Sequence, residues 1–175
     1  MDSENRLLTL KIAGRFREVP IWATKLPFEI RPNPNFNSRA WKYWKPSLNL
    51  MAEIVRSQKI KINARLIHSH FNQRKISTHD SGWWDPDTRN MFLCTFDKET
   101  MLHELAHAKS EGFHGDPWAR TTAKLFSKYL SGRELNNALI NLGEYRSGQR
   151  VYKELFGERP PKYKEPKSVW WHLKP

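Results

Sequence analysis

The stretch ETMLHELAHAKSEGFHGDPWAR, Glu99–Arg120, carries three histidines and a glutamate at regular offsets. Its reading decides the fold. It is either a helix presenting metal ligands or an amphipathic helix whose histidines lie on a polar face. The run before it, Met91–Cys94 (MFLC), is apolar and strand-like. The helix is expected to begin near Asp97–Thr100 and to end at Gly112, a residue suited to a helix C-terminus. Asp116 is expected to cap the next helix, with Pro117 at its first position. That helix, PWARTTAKLFSKYL, would turn Trp118, Leu125, Phe126, Tyr129 and Leu130 toward the core.

His103 and His107 are four residues apart, which on a helix stacks both imidazoles on one face. Two imidazoles at that spacing can bind one zinc ion. Glu104 projects beside the pair, placed to take a proton from a water on the metal, which is the chemistry of an HExxH motif. A catalytic site that keeps one position open needs a third protein ligand. His114 is the first choice, because a chain that stops at Gly112 can turn and bring it back. Asp116, Glu111, Glu134 and Glu144 stay open as alternatives, with Glu111 turned away from the pair.

Outward from the motif, Lys75–Cys94 reads as a hairpin with arms Lys75–Trp84 and Asn90–Thr95, turning at DPDTRN. Lys59–Ile67 (KIKINARLI) alternates like a partly exposed strand. Pro46–Gln58 reads as a helix with Leu48, Met51, Ile54 and Val55 on one face, Pro46 breaking or starting it. Ser38 is placed to cap a short helix before it. LLTLKIAG and VPIWATKLPFEI look extended, and Arg31–Asn37 (RPNPNFN) is a loop. RELNNALINLGEYR is the last helix expected, and the tail from Gly157 is proline-rich and extended.

HELAHA followed by HGDPW resembles the SprT-like (Spartan-type) zinc metalloprotease family. The matching residues are His103, Glu104, His107 and His114, with Gly115 and Trp118 completing the second segment. GWWDPDTRNMFLC is similar to the strand pair before the motif helix in such proteases. The likeness spans about Lys59–Leu130. It implies Zn2+ held by His103, His107 and His114, with Glu104 as catalytic base. It further implies an edge strand that pairs with a protein substrate, here expected to be Asn90–Thr95. The six residues between His107 and His114 separate the chain from metzincins.

The expected fold is therefore α+β and zincin-like, a small sheet packed on the HExxH helix. It would form one domain over 1–145, with a basic N-terminal part, 1–58, and a metalloprotease core, 59–130. A basic proline-rich tail, 146–175, would follow.

Of 175 residues, 38% are hydrophobic and 13% aromatic, enough for a modest core and not the composition of a disordered chain. One cysteine, Cys94, excludes an intramolecular disulfide and a multi-cysteine zinc ribbon. Neither a transmembrane run nor a secretory signal is evident. A cytoplasmic, nucleoid-associated or virion-associated protein is expected, with no membrane partner. The net charge of +12 divides as +10 over 1–75, −3 over 76–145 and +5 over 146–175. Basic flanks of this size attract nucleic acid.

The expected function is zinc-dependent hydrolysis of protein substrates, near DNA. The alternative is a non-catalytic structural or nucleic-acid-associated subunit of a larger assembly, of a viral kind for example. Four residues, Tyr129, Tyr145, His79 and Arg120, are candidates for stabilising an oxyanion. His68 and His70 could form a second metal site, though unremarkable surface histidines fit the spacing better. Trp41, Trp44, Trp83–Trp84 and Trp170–Trp171 could stack bases, but packing is the commoner use.

Overall fold

The structure is a computed structural model and describes residues 6–12, 15–32, 36, 38–66 and 81–160. The fold is a mixed α+β one with six helices and two small sheets among the described residues. The chain forms two compact units, Met1–Gly112 and Phe113–Pro175. The helices beyond Gly112 pack among themselves. No helix among the described residues is long and apolar enough to cross a membrane.

In the first unit, β1 (Leu7–Ile12) and β2 (Arg15–Pro20) form an antiparallel pair. The second extended stretch splits. Ile21–Thr24 makes one helical turn, α1, and Ile30–Pro32 makes β3, which takes in the first two residues of the expected loop. A four-stranded sheet follows, in the order β3-β4-β6-β5. Strand β4 (Asn63–Leu66) lies parallel to β3 and to β6 (Asn90–Leu93), while β5 (Gly82–Asp85) is antiparallel to β6. Ile30, Ala64 and Met91 align across three strands, and all are buried. Period-two alternation turns Arg31, Arg65 and Phe92 to the other face.

The β5–β6 turn is built from the expected residues. The Asp85 carboxylate accepts from the Asp87 N–H at 3.1 Å and from the Thr88 hydroxyl. The first hairpin arm begins at Gly82, since 67–80 lie outside the described residues along with His68, His70 and His79. One expectation is overturned: β6 is an interior strand, paired with β4 on one side and β5 on the other. Asn90–Thr95 cannot be the edge strand, because its main-chain groups are already spent on two neighbours. Among the described residues the edge beside it is β5.

Helix α2 spans Trp41–Gln58, entered through a 3-10 turn at Ser38–Ala40. It runs through Pro46 instead of starting there. A proline at an interior helical position costs about 3 kcal/mol. Trp41 and Trp44 are buried at 3% and 0% exposure. Each contributes about 4–6 kcal/mol by apolar area, an upper bound that still exceeds the proline penalty. Packing is thus the role of both tryptophans.

Helix α3, Lys98–Ser110, is the motif helix. Its N-cap is Asp97, whose carboxylate accepts from the Thr100 N–H at 2.7 Å. Its end differs from expectation. Glu111, not Gly112, takes the left-handed conformation (φ 52°) and returns its N–H to the His107 carbonyl. The helix packs on β5, β6 and α2 and buries Met101, Leu102, Leu105 and Ala106.

The second unit holds α4 (Asp116–Tyr129), α5 (Gly132–Leu142) and α6 (Arg146–Phe156). Gly115 is the N-cap of α4, so Asp116 is its first residue and Pro117 its second. Of the expected core, Trp118, Leu125, Phe126 and Leu130 are buried, and Tyr129 is half-buried. Helix α6 replaces the start of the expected tail. Its buried face is Ser147, Gly148, Val151 and Tyr152, too polar and small to read as an apolar stripe. The rest of the tail from 161, with Trp170 and Trp171, lies outside the described residues.

Helix α6 comes so close to the end of α5 that a Cβ at Gly148 would overlap the Leu142 carbonyl. Gly148→Ala is expected to lower stability by about 3 kcal/mol in urea unfolding, since backbone cannot yield as a side chain does. Arg150→Ala removes only an exposed ion pair with Asp116 and should leave the midpoint nearly unchanged.

Candidate metal centre

Four-residue spacing on α3 sets His103 and His107 side by side, ring centroids 5.1 Å apart. His107 is buried and His103 half-buried. The His107 Nδ1 lies 2.8 Å from the Gly112 carbonyl. A carbonyl only accepts, so Nδ1 carries the proton and Nε2 keeps its lone pair for a ligand. Burial lowers the pKa of His107, outweighing the opposing effect of the Gly112 bond, and so favours the neutral ring that metals need.

Glu104 is 5% exposed, and its Oε1 lies 4.0 Å from His103 Nε2. Loss of solvent pushes its pKa up to about 8. Room for it comes from β5. A Cβ at Gly82 would come within 3.2 Å of Glu104 Cγ and 2.9 Å of Thr100 Cγ2. A strand glycine often marks such a close approach, and the glycine of SGWW is that signal in the sequence.

His114 follows the motif helix by a short turn. Its ring stacks on Tyr145, centroids 4.2 Å apart at 29°, and meets Trp118 edge-on at 4.5 Å. Its carbonyl accepts from Ser147 Oγ at 2.6 Å. The ligand atoms of His103, His107 and His114 all lie within 4.8 Å of one another, the one such group among the described residues. Three nearby histidines can therefore hold a metal ion. Tetrahedral zinc at its usual bond lengths asks for roughly 3.3–3.5 Å between nitrogens.

The other candidates are not brought to this cluster. Asp116 pairs with Arg150, Glu111 caps α3, and Glu134 and Glu144 are exposed. Among the oxyanion candidates, Arg120 is engaged by Glu154, and the Tyr129 hydroxyl is buried with no hydrogen bond to a described residue. Tyr145 lies against His114. The Gly112 carbonyl, Gly82 and Ser147 are participants that motif reading missed, and Tyr145, expected as an oxyanion candidate, stacks on His114 instead.

No protein-family model, curated protein or solved structure matches this chain.

Glu104 and His107 give opposite pH signatures in metal-free protein. The raised pKa of Glu104 means its contribution is full below about pH 4.5 and lost as pH rises through about 8. The lowered pKa of His107 means its contribution is full above 6.5 and lost as pH falls. Between pH 6.5 and 8, Glu104 alone of the two varies. Stability of chelator-treated protein should fall there with a slope of at most about 1.4 kcal/mol per pH unit. Urea unfolding across that window checks it, and Glu104→Gln should flatten the slope.

Proposed function

We propose that the chain is a zinc-dependent metallopeptidase of the HExxH type, hydrolysing protein substrates on a zincin-like fold similar to SprT-like proteases. The observation that carries this reading is the convergence of three imidazoles beside one buried carboxyl group. Three neutral nitrogen donors suit zinc, and three protein ligands leave a fourth position for chemistry.

Zinc, when bound, supplies Lewis acidity to a water molecule and to the substrate carbonyl. The chain's residues do the rest. His107 is held in one tautomer by Gly112, and such outer hydrogen bonds orient a ligand ring. Glu104 accepts the proton of the attacking water and delivers it to the leaving amide nitrogen. Burial sharpens this role, because a carboxylate poorly served by solvent is a stronger base. A cation nearby restores its charged form, offsetting the desolvation. Substrate peptide adds to the free side of β5, which among the described residues pairs only with β6. Recognition through main-chain groups makes sequence preference loose.

The basic 1–75 segment supports a setting near nucleic acid. The same charge also fits the competing reading, a structural subunit in which the histidine cluster binds metal without catalysis. Cleavage separates the two.

Metal analysis of wild type and Glu104→Gln should find about one zinc in each. Cleavage of a denatured protein should fall at least about a hundredfold in the variant. Chelation should abolish cleavage by wild type, and added zinc restore it. Zinc in both proteins with cleavage by neither, with or without DNA, would favour the structural subunit.

A further inference from the structure

Three ligands of a metal site are seldom equally well held. His103 and His107 ride on α3, thirteen residues of regular helix packed on a sheet. His114 lies in the turn before α4 and is exposed. An exposed side chain on a turn would normally sample several rotamers, and fixing it on metal binding would cost conformational entropy. His114 is nonetheless held at two points, its ring and its carbonyl, by residues far along the chain.

Tyr145 supplies the first contact, its ring stacked on the imidazole at 4.2 Å and itself set edge-on to Trp118 at 4.9 Å. Ser147 supplies the second, donating to the His114 carbonyl and so fixing the backbone from which the ring springs. Both residues belong to one short stretch, Tyr145-Arg146-Ser147-Gly148. Tyr145 is the N-cap of α6, and Gly148 is where α6 lies against the α5 carbonyl of Leu142. The close approach at Gly148 fixes where α6 begins, and that beginning carries Tyr145 and Ser147 to His114. Ring and backbone of one ligand are thus held by a helix start that the metal motif does not include.

We propose that Tyr145 and Ser147 are positioning residues that pre-set His114 as the third metal ligand, so that α6 sets the metal affinity of the site. This rests on the reading of His114 as a ligand. Stacking does the work at Tyr145, and its hydroxyl is dispensable. The hydroxyl does the work at Ser147. Removing the outer support of a metal ligand lowers affinity by about ten- to a hundredfold.

The test is zinc affinity of the full chain, measured by competition with a chromophoric chelator, for wild type, His114→Ala, Tyr145→Ala, Tyr145→Phe and Ser147→Ala. His114 ring proton shifts in metal-free protein are read alongside, since a stacked ring sits in the shielding of Tyr145 whether or not metal is present. The expected result is a loss of about ten- to a hundredfold for Tyr145→Ala and Ser147→Ala. Tyr145→Phe should stay near wild type, and the His114 signals should move in Tyr145→Ala with other resonances dispersed as in wild type. If His114→Ala weakens zinc while Tyr145→Ala and Ser147→Ala bind like wild type, positioning is overturned and the ligand reading stands. If His114→Ala binds as tightly as wild type, or wild type binds no zinc, the ligand reading fails and this proposal with it. Should Tyr145→Ala unfold, Tyr145→Leu, which keeps bulk without a flat ring, decides in its place. Weak zinc binding by that variant supports stacking, and wild-type affinity overturns it.

Discussion

A carboxyl group held almost out of water is the constraint around which the first unit is arranged. Ionised carboxylates are costly to bury, and Glu104 lies 4.0 Å from the His103 imidazole. Met101, Leu102, Leu105 and Ala106 of the same helix are buried, and β5 packs against α3. Gly82 gives way to Glu104 by having no side chain. Only the approach of positive charge makes that position comfortable for the ionised group.

Local chemistry was legible in the sequence wherever one short stretch settles it. The histidine spacing, the Asp97 start of α3, the Asp85 turn and the apolar faces of α2 and α4 depend on near neighbours alone. Where two distant segments decide, the sequence was silent. Nothing in NMFL marks it as interior, since that depends on β4 arriving parallel from earlier in the chain. Pro46 argues locally against a helix, and distant packing on Trp41 and Trp44 overrides it. At Glu111 a left-handed residue with a side chain was preferred to the adjacent glycine, which leaves the Gly112 carbonyl turned to His107.

The candidate site divides in the same way. His103, Glu104, His107 and His114 were nameable because ligand chemistry restricts residue type and spacing. Their supports were not, because any carbonyl, small residue or flat ring can serve, and type alone distinguishes none. Gly82, Tyr145 and Ser147 lie roughly twenty to thirty residues from the groups they hold, separations at which residue type alone carries no contact information. Helix α6 escaped for a related reason: its buried face carries serine and glycine where an apolar stripe would have announced it.

The strand order bears on how the protein comes to be folded. Strands β1–β2 and β5–β6 are hairpins and close early at small entropic cost, whereas β3, β4 and β6 must find one another across long intervening chain. Glu104 loses its water only once β5 has settled on α3 with the sheet behind it. During synthesis, β3 and β4 therefore wait for β6 before the sheet can close, and α3 is made after all of them. The buried setting of Glu104 is among the last parts of the first unit to assemble, and a nascent chain leaves that carboxyl group in water until its scaffold exists.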